Sequence, residues 1–163
     1  MRRRAFLTLP IGAGATAALS ACMVDPNGPN SGATPTEFPE DREAPTIEVP
    51  AGDPPAELQT EDLIEGGGAE AVAGKLIAAH YVGVAWSTGE VFDSSWDRGE
   101  PLEFPLGAGM VIEGWDKGLE GMKVGGRRKI TIPPEQAYGD QGAGGVIGPG
   151  ETLIFVCDLV EVK

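Results

Sequence analysis

Phe92 and Asp93, adjacent in the chain, and Trp115, Tyr138 and Phe155 are the residues whose types could do chemistry together. Brought to one place, they would form an apolar cup with one carboxylate and one phenol at its rim. Such a cup has no nucleophile and no set of metal ligands. It suits a reaction that needs only binding, removal of water and a well-placed hydrogen bond. These residues fall in segments with different periodicities, so the fold has to assemble them.

Those segments read as strands, a helix and a loop. Residues 58–65 predict a first strand, closed by Gly66-Gly67-Gly68. Residues 76–86 predict a longer one, with Ile77, Ala79 and Tyr81 on one face and His80 and Val82 on the other. Ser87-Thr88-Gly89-Glu90 supplies a turn, and residues 91–94 return as a strand. Residues 111–122 then change period. Val111, Trp115, Leu119 and Met122 recur at helical spacing, with Gly121 as a stop. Residues 127–132 predict a strand ended by Pro133-Pro134. Residues 139–150 are rich in glycine and read as a mobile loop. Residues 153–162 are almost continuously apolar and read as a central strand. The expected class is α+β, an antiparallel sheet of about five strands wrapped around one short helix.

Composition sets the boundaries. Eight of the ten aromatic residues lie between Tyr81 and Phe155, so the core must be built there. Residues 1–21 read as a signal peptide, with Arg2, Arg3 and Arg4 ahead of an uncharged stretch. Thr8, Pro10, Gly12 and Gly14 interrupt that stretch too often for a membrane-spanning helix. The run Arg3-Arg4-Ala5-Phe6-Leu7 resembles a twin-arginine export signal. Leu19-Ser20-Ala21-Cys22 resembles the lipobox of bacterial lipoproteins, which implies lipid on Cys22 and attachment to a membrane face. The expected location is outside the cytoplasm, at the outer face of a bacterial cytoplasmic membrane or in the periplasm. Residues 22–56, rich in proline, read as a disordered tether. The ordered domain is expected over residues 57–163.

Several chemistries are excluded. A net charge of −13 argues against a nucleic-acid backbone as partner. The stretch around Gly74-Lys75 approaches a phosphate-binding loop, but Ala69 replaces the first glycine and Leu76 the hydroxyl residue. His80 is the only histidine, which rules out a histidine-rich metal site, and its place on the strand face opposite the cup reads as structural rather than as part of a Ser-His-Asp triad. No metal or cofactor is expected. Cys157, in an apolar run, reads as a small core hydrophobe.

Taken in order, the motifs point to a family. His80-Tyr81-Val82-Gly83 is followed by Gly89-Glu90-Val91-Phe92-Asp93-Ser94-Ser95 and Val111-Ile112-Glu113-Gly114-Trp115-Asp116-Lys117-Gly118-Leu119. Ala137-Tyr138-Gly139 and Thr152-Leu153-Ile154-Phe155 complete the series. The whole resembles the FKBP-type peptidyl-prolyl cis-trans isomerases, from about Glu57 to Lys163. The resemblance implies a binding cup of Tyr81, Phe92, Asp93, Val111, Ile112, Trp115, Tyr138 and Phe155. Trp115 would be the floor, and Tyr81, Phe92 and Phe155 the walls. The Ile112 N–H and the Tyr138 hydroxyl would hold substrate carbonyls. Arg98 matches an arginine that supports the Asp93 corner, and Val146 and Ile147 match apolar residues on a flap over the site. Leu102 stands where an aromatic wall is common, Ala143 where a histidine often sits, and Gly148 where a proline is frequent.

The implied activity is rotation about Xaa–Pro bonds in exported polypeptides, by desolvation and binding of the twisted amide. The implied partners are proline-containing clients and rapamycin-type macrolides, and a monomer is expected. The competing reading is a proline-peptide-binding or chaperone module that uses the same cup with little turnover.

Overall fold

The computed structural model describes residues 35–163. The signal segment 1–21, the Cys22 lipidation site and residues 23–34 of the expected tether lie outside the described residues. Six antiparallel strands form one sheet: β1 (Gln59–Ile64), β2 (Leu76–Ala85), β3 (Val91–Ser94), β4 (Leu102–Pro105), β5 (Arg127–Ile132) and β6 (Leu153–Val162). Their order is β1-β5-β6-β2-β3, and β4 also pairs with β2.

β2 and β6 pair from Ile77↔Val162 to Ala85↔Leu153 and form the centre of the sheet. One edge of β2 is shared by two short strands. β4 takes Leu76–Ala79, and β3 takes Val82–Val84. The chain between them, residues 95–101, makes a turn-rich corner. Sequence reasoning missed β4 because Leu-Glu-Phe-Pro is too short to show a period.

The helix, α1, spans Glu113–Gly118, about half the predicted 111–122. A Cβ added at Gly114 would lie 2.3 Å from Ile132, and one at Gly118 would lie 2.8 Å from Ile130. These glycines let the helix press onto β5, but each lowers helix propensity. So short a helix depends on packing rather than on its own hydrogen bonds. The predicted stripe outlives the helix. Trp115, Leu119 and Met122 are buried in one core with Ile130, Ile132 and Phe155. Gly121, with φ of 78°, turns the chain just beyond. Cys157 is also fully buried there, as its apolar setting predicts.

Residues 35–56 depart from the expected disordered tether and form a strap against the sheet. The Gly67 N–H donates to the Pro35 carbonyl at 2.6 Å. A Cβ at Gly68 would come 2.3 Å from the Thr36 carbonyl oxygen, so only glycine allows this crossing. Phe38 packs on His80 and Trp96. Arg42 donates to Asp158 at 2.9 Å, and Arg127 donates to the same carboxylate at 2.8 and 3.0 Å. Arg127 also donates to the Glu43 carbonyl at 2.7 Å. Composition measures how much apolar surface a segment can bury. It does not register a strap fixed at a few specific points.

Asp158 is fully buried within apolar β6, where an unpaired carboxylate is costly. Its two guanidinium partners offset that cost, and one of them comes from the strap. Replacing Asp158 by Ala strands both arginines. The expected loss is roughly 3–5 kcal/mol of unfolding free energy, measured by urea denaturation. A loss below about 1 kcal/mol, the worth of an exposed pair, would show that the cluster does not hold the strap.

Candidate active site

The functional candidates come from most of these elements. Tyr81 lies on β2, Phe92 and Asp93 on β3, Leu102 on β4 and Phe155 on β6. Trp115 is on α1, Val111 and Ile112 immediately precede it, and Tyr138 lies between two 3-10 turns, Pro134–Gln136 and Gly139–Gln141. The structure gathers all of them, with Met110, around one cavity of about 190 Å³. Other clefts among the described residues are larger, at about 220, 240, 400 and 630 Å³, and the two largest lie beneath residues 46–55. One has Trp86 as its sole aromatic and the other has none. Chemistry rather than size therefore selects the site.

The rings meet edge to face. Tyr81 and Trp115 have centroids 4.9 Å apart at 80°, Trp115 and Phe155 5.2 Å at 88°, and Phe92 and Phe155 5.5 Å at 89°. This geometry sets the positive edge of one ring against the negative face of the next. Gly83 makes room for it, since a Cβ there would lie 2.7 Å from both Phe155 and Phe92. Trp115 is almost wholly buried, and its indole N–H has no acceptor among the described residues.

At one side of the cavity Asp93 is fully engaged. The Tyr81 hydroxyl donates to one carboxylate oxygen at 2.5 Å, and Arg98 donates to the other at 2.6 Å. A second Arg98 nitrogen donates to the Tyr81 oxygen at 2.7 Å, closing a three-membered network. Burial, reinforced by the hydrogen bond to Asp93, pushes the Tyr81 phenol up to about 12. Burial also pulls the Asp93 carboxyl upward. The hydrogen bonds from Tyr81 and Arg98 outweigh it and hold Asp93 below its ordinary value. Asp93 is thus a fixed negative charge, poorly suited to carrying protons.

Elsewhere on the rim the donors are free. Neither the Ile112 N–H nor the Tyr138 hydroxyl has an acceptor among the described residues, and Tyr138 is 41% exposed. Both can therefore receive carbonyls of a bound peptide.

Three placements differ from the sequence reading. Val146 is 64% exposed on the 139–150 loop, Ile147 is 7% exposed and packs into the core, and neither lines the cavity. The loop itself is tied rather than loose. Ala143 and Ile147 exchange two backbone hydrogen bonds, and the Gly150 N–H donates to the Gly139 carbonyl. Met110, 71% exposed at the rim, was missed because a lone methionine ahead of a helix carries no periodic signal. The role of Gly83 was legible only as part of a motif, because a missing side chain has no chemistry of its own.

Comparison with known proteins is consistent with this geometry. Residues 67–160 match the family model described as FKBP-type peptidyl-prolyl cis-trans isomerase. The chain is 63% identical to an FK506-binding protein of Streptomyces anulatus over 121 residues, 74% of this chain and 98% of that protein. It is 53% identical to a probable FK506-binding protein of Corynebacterium glutamicum, over 73% of this chain and 98% of that protein. Among solved structures, AtFKBP13 superposes with a TM-score of 0.61 at 45% identity, covering 68% of this chain and 96% of that one. FkpA from Escherichia coli gives 0.59 at 39% identity, covering 65% of this chain and 48% of that one.

The network fixes a pH signature. Asp93, lowered in the fold, contributes stability that is present above its unfolded value of 3.8 and lost as pH falls through its folded value. Tyr81, raised in the fold, contributes below 10.0 and loses that contribution as pH rises toward 12. The stability difference between the wild type and Asp93→Asn should therefore be flat from about pH 5 to 9 and shrink below Asp93's unfolded value. Thermal unfolding across pH reads this directly. A difference that swings through neutrality would contradict the assignment.

Proposed function

We propose a mechanism from the premise that this chain belongs to the FKBP-type peptidyl-prolyl cis-trans isomerases. Rotation about an Xaa–Pro bond faces a barrier near ~20 kcal/mol, because amide resonance must be broken. A million-fold acceleration would require about 8 kcal/mol of preferential stabilisation of the twisted bond. No covalent step is needed.

The cavity supplies the terms that such a reaction can use. Its volume is below the roughly 300–1,000 Å³ of pockets for drug-sized ligands and suits a single ring such as pyrrolidine. Trp115 forms the floor, and Tyr81, Phe92 and Phe155 form walls. The planar amide is the more charge-separated form, so replacing water with these rings disfavours it relative to the twisted form. The Ile112 N–H and the Tyr138 hydroxyl hold the flanking carbonyls, each worth about 1 kcal/mol. Hydrogen bonds alone therefore cannot supply the whole effect, and shape selection by the rings carries the larger share. Asp93, pinned by Tyr81 and Arg98, biases the twisted geometry electrostatically without moving a proton. The single observation behind this reading is the convergence of edge-to-face rings on a cavity whose one carboxylate among the described residues, Asp93, is already paired.

Members of the family bind proline-containing peptides and FK506-type macrolides. We extend this to rapamycin-type macrolides, which would occupy this chain's cavity. We also propose that the protein is exported and lipid-anchored and that its clients are exported polypeptides. The support is the cationic start at Arg2, Arg3 and Arg4 and the run Leu19-Ser20-Ala21-Cys22.

A protease-coupled proline-peptide assay tests the mechanism. Phe92→Ala and Asp93→Leu should each cut kcat/KM by about ten- to a hundredfold, and a saturating macrolide should abolish turnover. Peptide binding without acceleration in the wild type would instead support the binding-module reading. In expressing cells, labelled palmitate should enter the wild type and not Cys22→Ser. Equal labelling of the two would remove the anchor from the account.

A further inference from the structure

We propose that the strap positions the active-site corner, with Phe38 as the residue that transmits its hold. The strap precedes the segment matched by the family model, which begins at residue 67. This inference rests on the catalytic reading above and assigns that site a support from outside the matched domain.

The contacts run through the sheet from one face to the other. On the outer face the Phe38 ring lies 5.9 Å from His80 and 6.2 Å from Trp96, which stack on each other at 4.4 Å. Arg42 lies over the Phe38 ring, its guanidinium carbon 5.4 Å from the ring centre. The Trp96 indole N–H is buried with no acceptor among the described residues, so packing alone holds that ring. Phe38 is part of that packing.

His80 Nδ1 shares a 2.9 Å hydrogen bond with the hydroxyl of Ser95, which is fully buried. That hydroxyl also accepts the Tyr81 N–H at 2.8 Å, and the Ser95 N–H donates to the Tyr81 carbonyl at 3.0 Å. His80 and Tyr81 are neighbours on β2, so their side chains point to opposite faces. A ring clamped on the outer face thus sits one residue away from a ring in the cavity wall.

A second path runs through the turn itself. The Arg98 N–H donates to the Ser95 carbonyl, and the Gly99 N–H to the Trp96 carbonyl. One turn therefore carries Trp96 under the strap and Arg98 on Asp93 and Tyr81. If Trp96 shifts, the guanidinium fork that fixes the Asp93–Tyr81 pair shifts with it. A geometric change of this kind reaches turnover because catalysis depends on ångström-scale placement.

The test uses the full chain and its Phe38→Ala and Phe38→Leu variants, below the temperature at which any of them unfolds. Two readouts are compared: kcat and KM for a proline peptide, and the alkaline titration of the Tyr81 phenol. The titration is read by pH jump in a Tyr138→Phe background, so that Tyr81 is the only tyrosine. Phe38→Ala should lower kcat/KM by about tenfold and displace the Tyr81 midpoint from its wild-type position, because that position balances the raising effect of Asp93 against the lowering effect of Arg98. Phe38→Leu, which keeps apolar bulk, should restore most of both. A Phe38→Ala protein with a lower melting temperature but an unchanged midpoint and unchanged kcat/KM would reduce the strap to a structural role and overturn the proposal. If the wild type shows no turnover, the catalytic reading fails, and the Tyr81 midpoint alone decides whether the strap holds the corner.

Discussion

Three rings from three elements, Tyr81 on β2, Trp115 on α1 and Phe155 on β6, must meet around a cavity that stays open, with Trp115 edge to face against both of the others. A core normally closes such a space, because packed interiors approach the density of organic crystals. Here the helix is pressed onto β5 through Gly114 and Gly118, and the rings of Phe92 and Phe155 ride over Gly83. Absent side chains at these positions let the aromatic groups stand in a rigid frame, so the cavity does not have to be prised open. Pre-set walls matter for a reaction whose catalysis lies in differential binding, since rearranging them would consume the energy that favours the twisted bond.

Electrostatics fits the same purpose. A carboxylate beside aromatic rings would usually be a candidate acid or base, with its pKa drawn upward by burial. Tyr81 and Arg98 reverse that tendency for Asp93 and leave neither of its oxygens unpaired. The result is a permanent charge of fixed direction at the edge of an apolar space. Ile112 and Tyr138 meanwhile keep donors uncommitted among the described residues. No group in the account has to change protonation state near neutral pH.

Much of this was legible in the sequence, and the exceptions have physical causes. The long strands could be read because β2 and β6 carry strong apolar runs, and the cup could be read because its members sit in motifs that together resemble one family. Helix α1 was overestimated because the stripe of Trp115, Leu119 and Met122 continues through turns that keep those side chains facing the core. β4 was missed because four residues cannot display a period. The strap was read as disordered because Phe38 and Arg42 are sparse in a proline-rich segment. Their partners, His80, Trp96 and Asp158, are remote in sequence. Ile147 was assigned to a flap by analogy, yet it packs inward, since a loop crossed by its own hydrogen bonds can bury one of two adjacent apolar residues.

The central claim is that the bond turns by shape and desolvation and that no proton is in flight. The solvent isotope effect on kcat/KM tests it most directly. Comparing turnover in H₂O and D₂O between about pH 6 and 8, this account predicts a ratio close to 1, because no general acid or base acts in the rate-limiting step. A ratio of roughly 2 or more, reduced by Asp93→Asn, would show that the carboxylate moves a proton after all and would contradict the account.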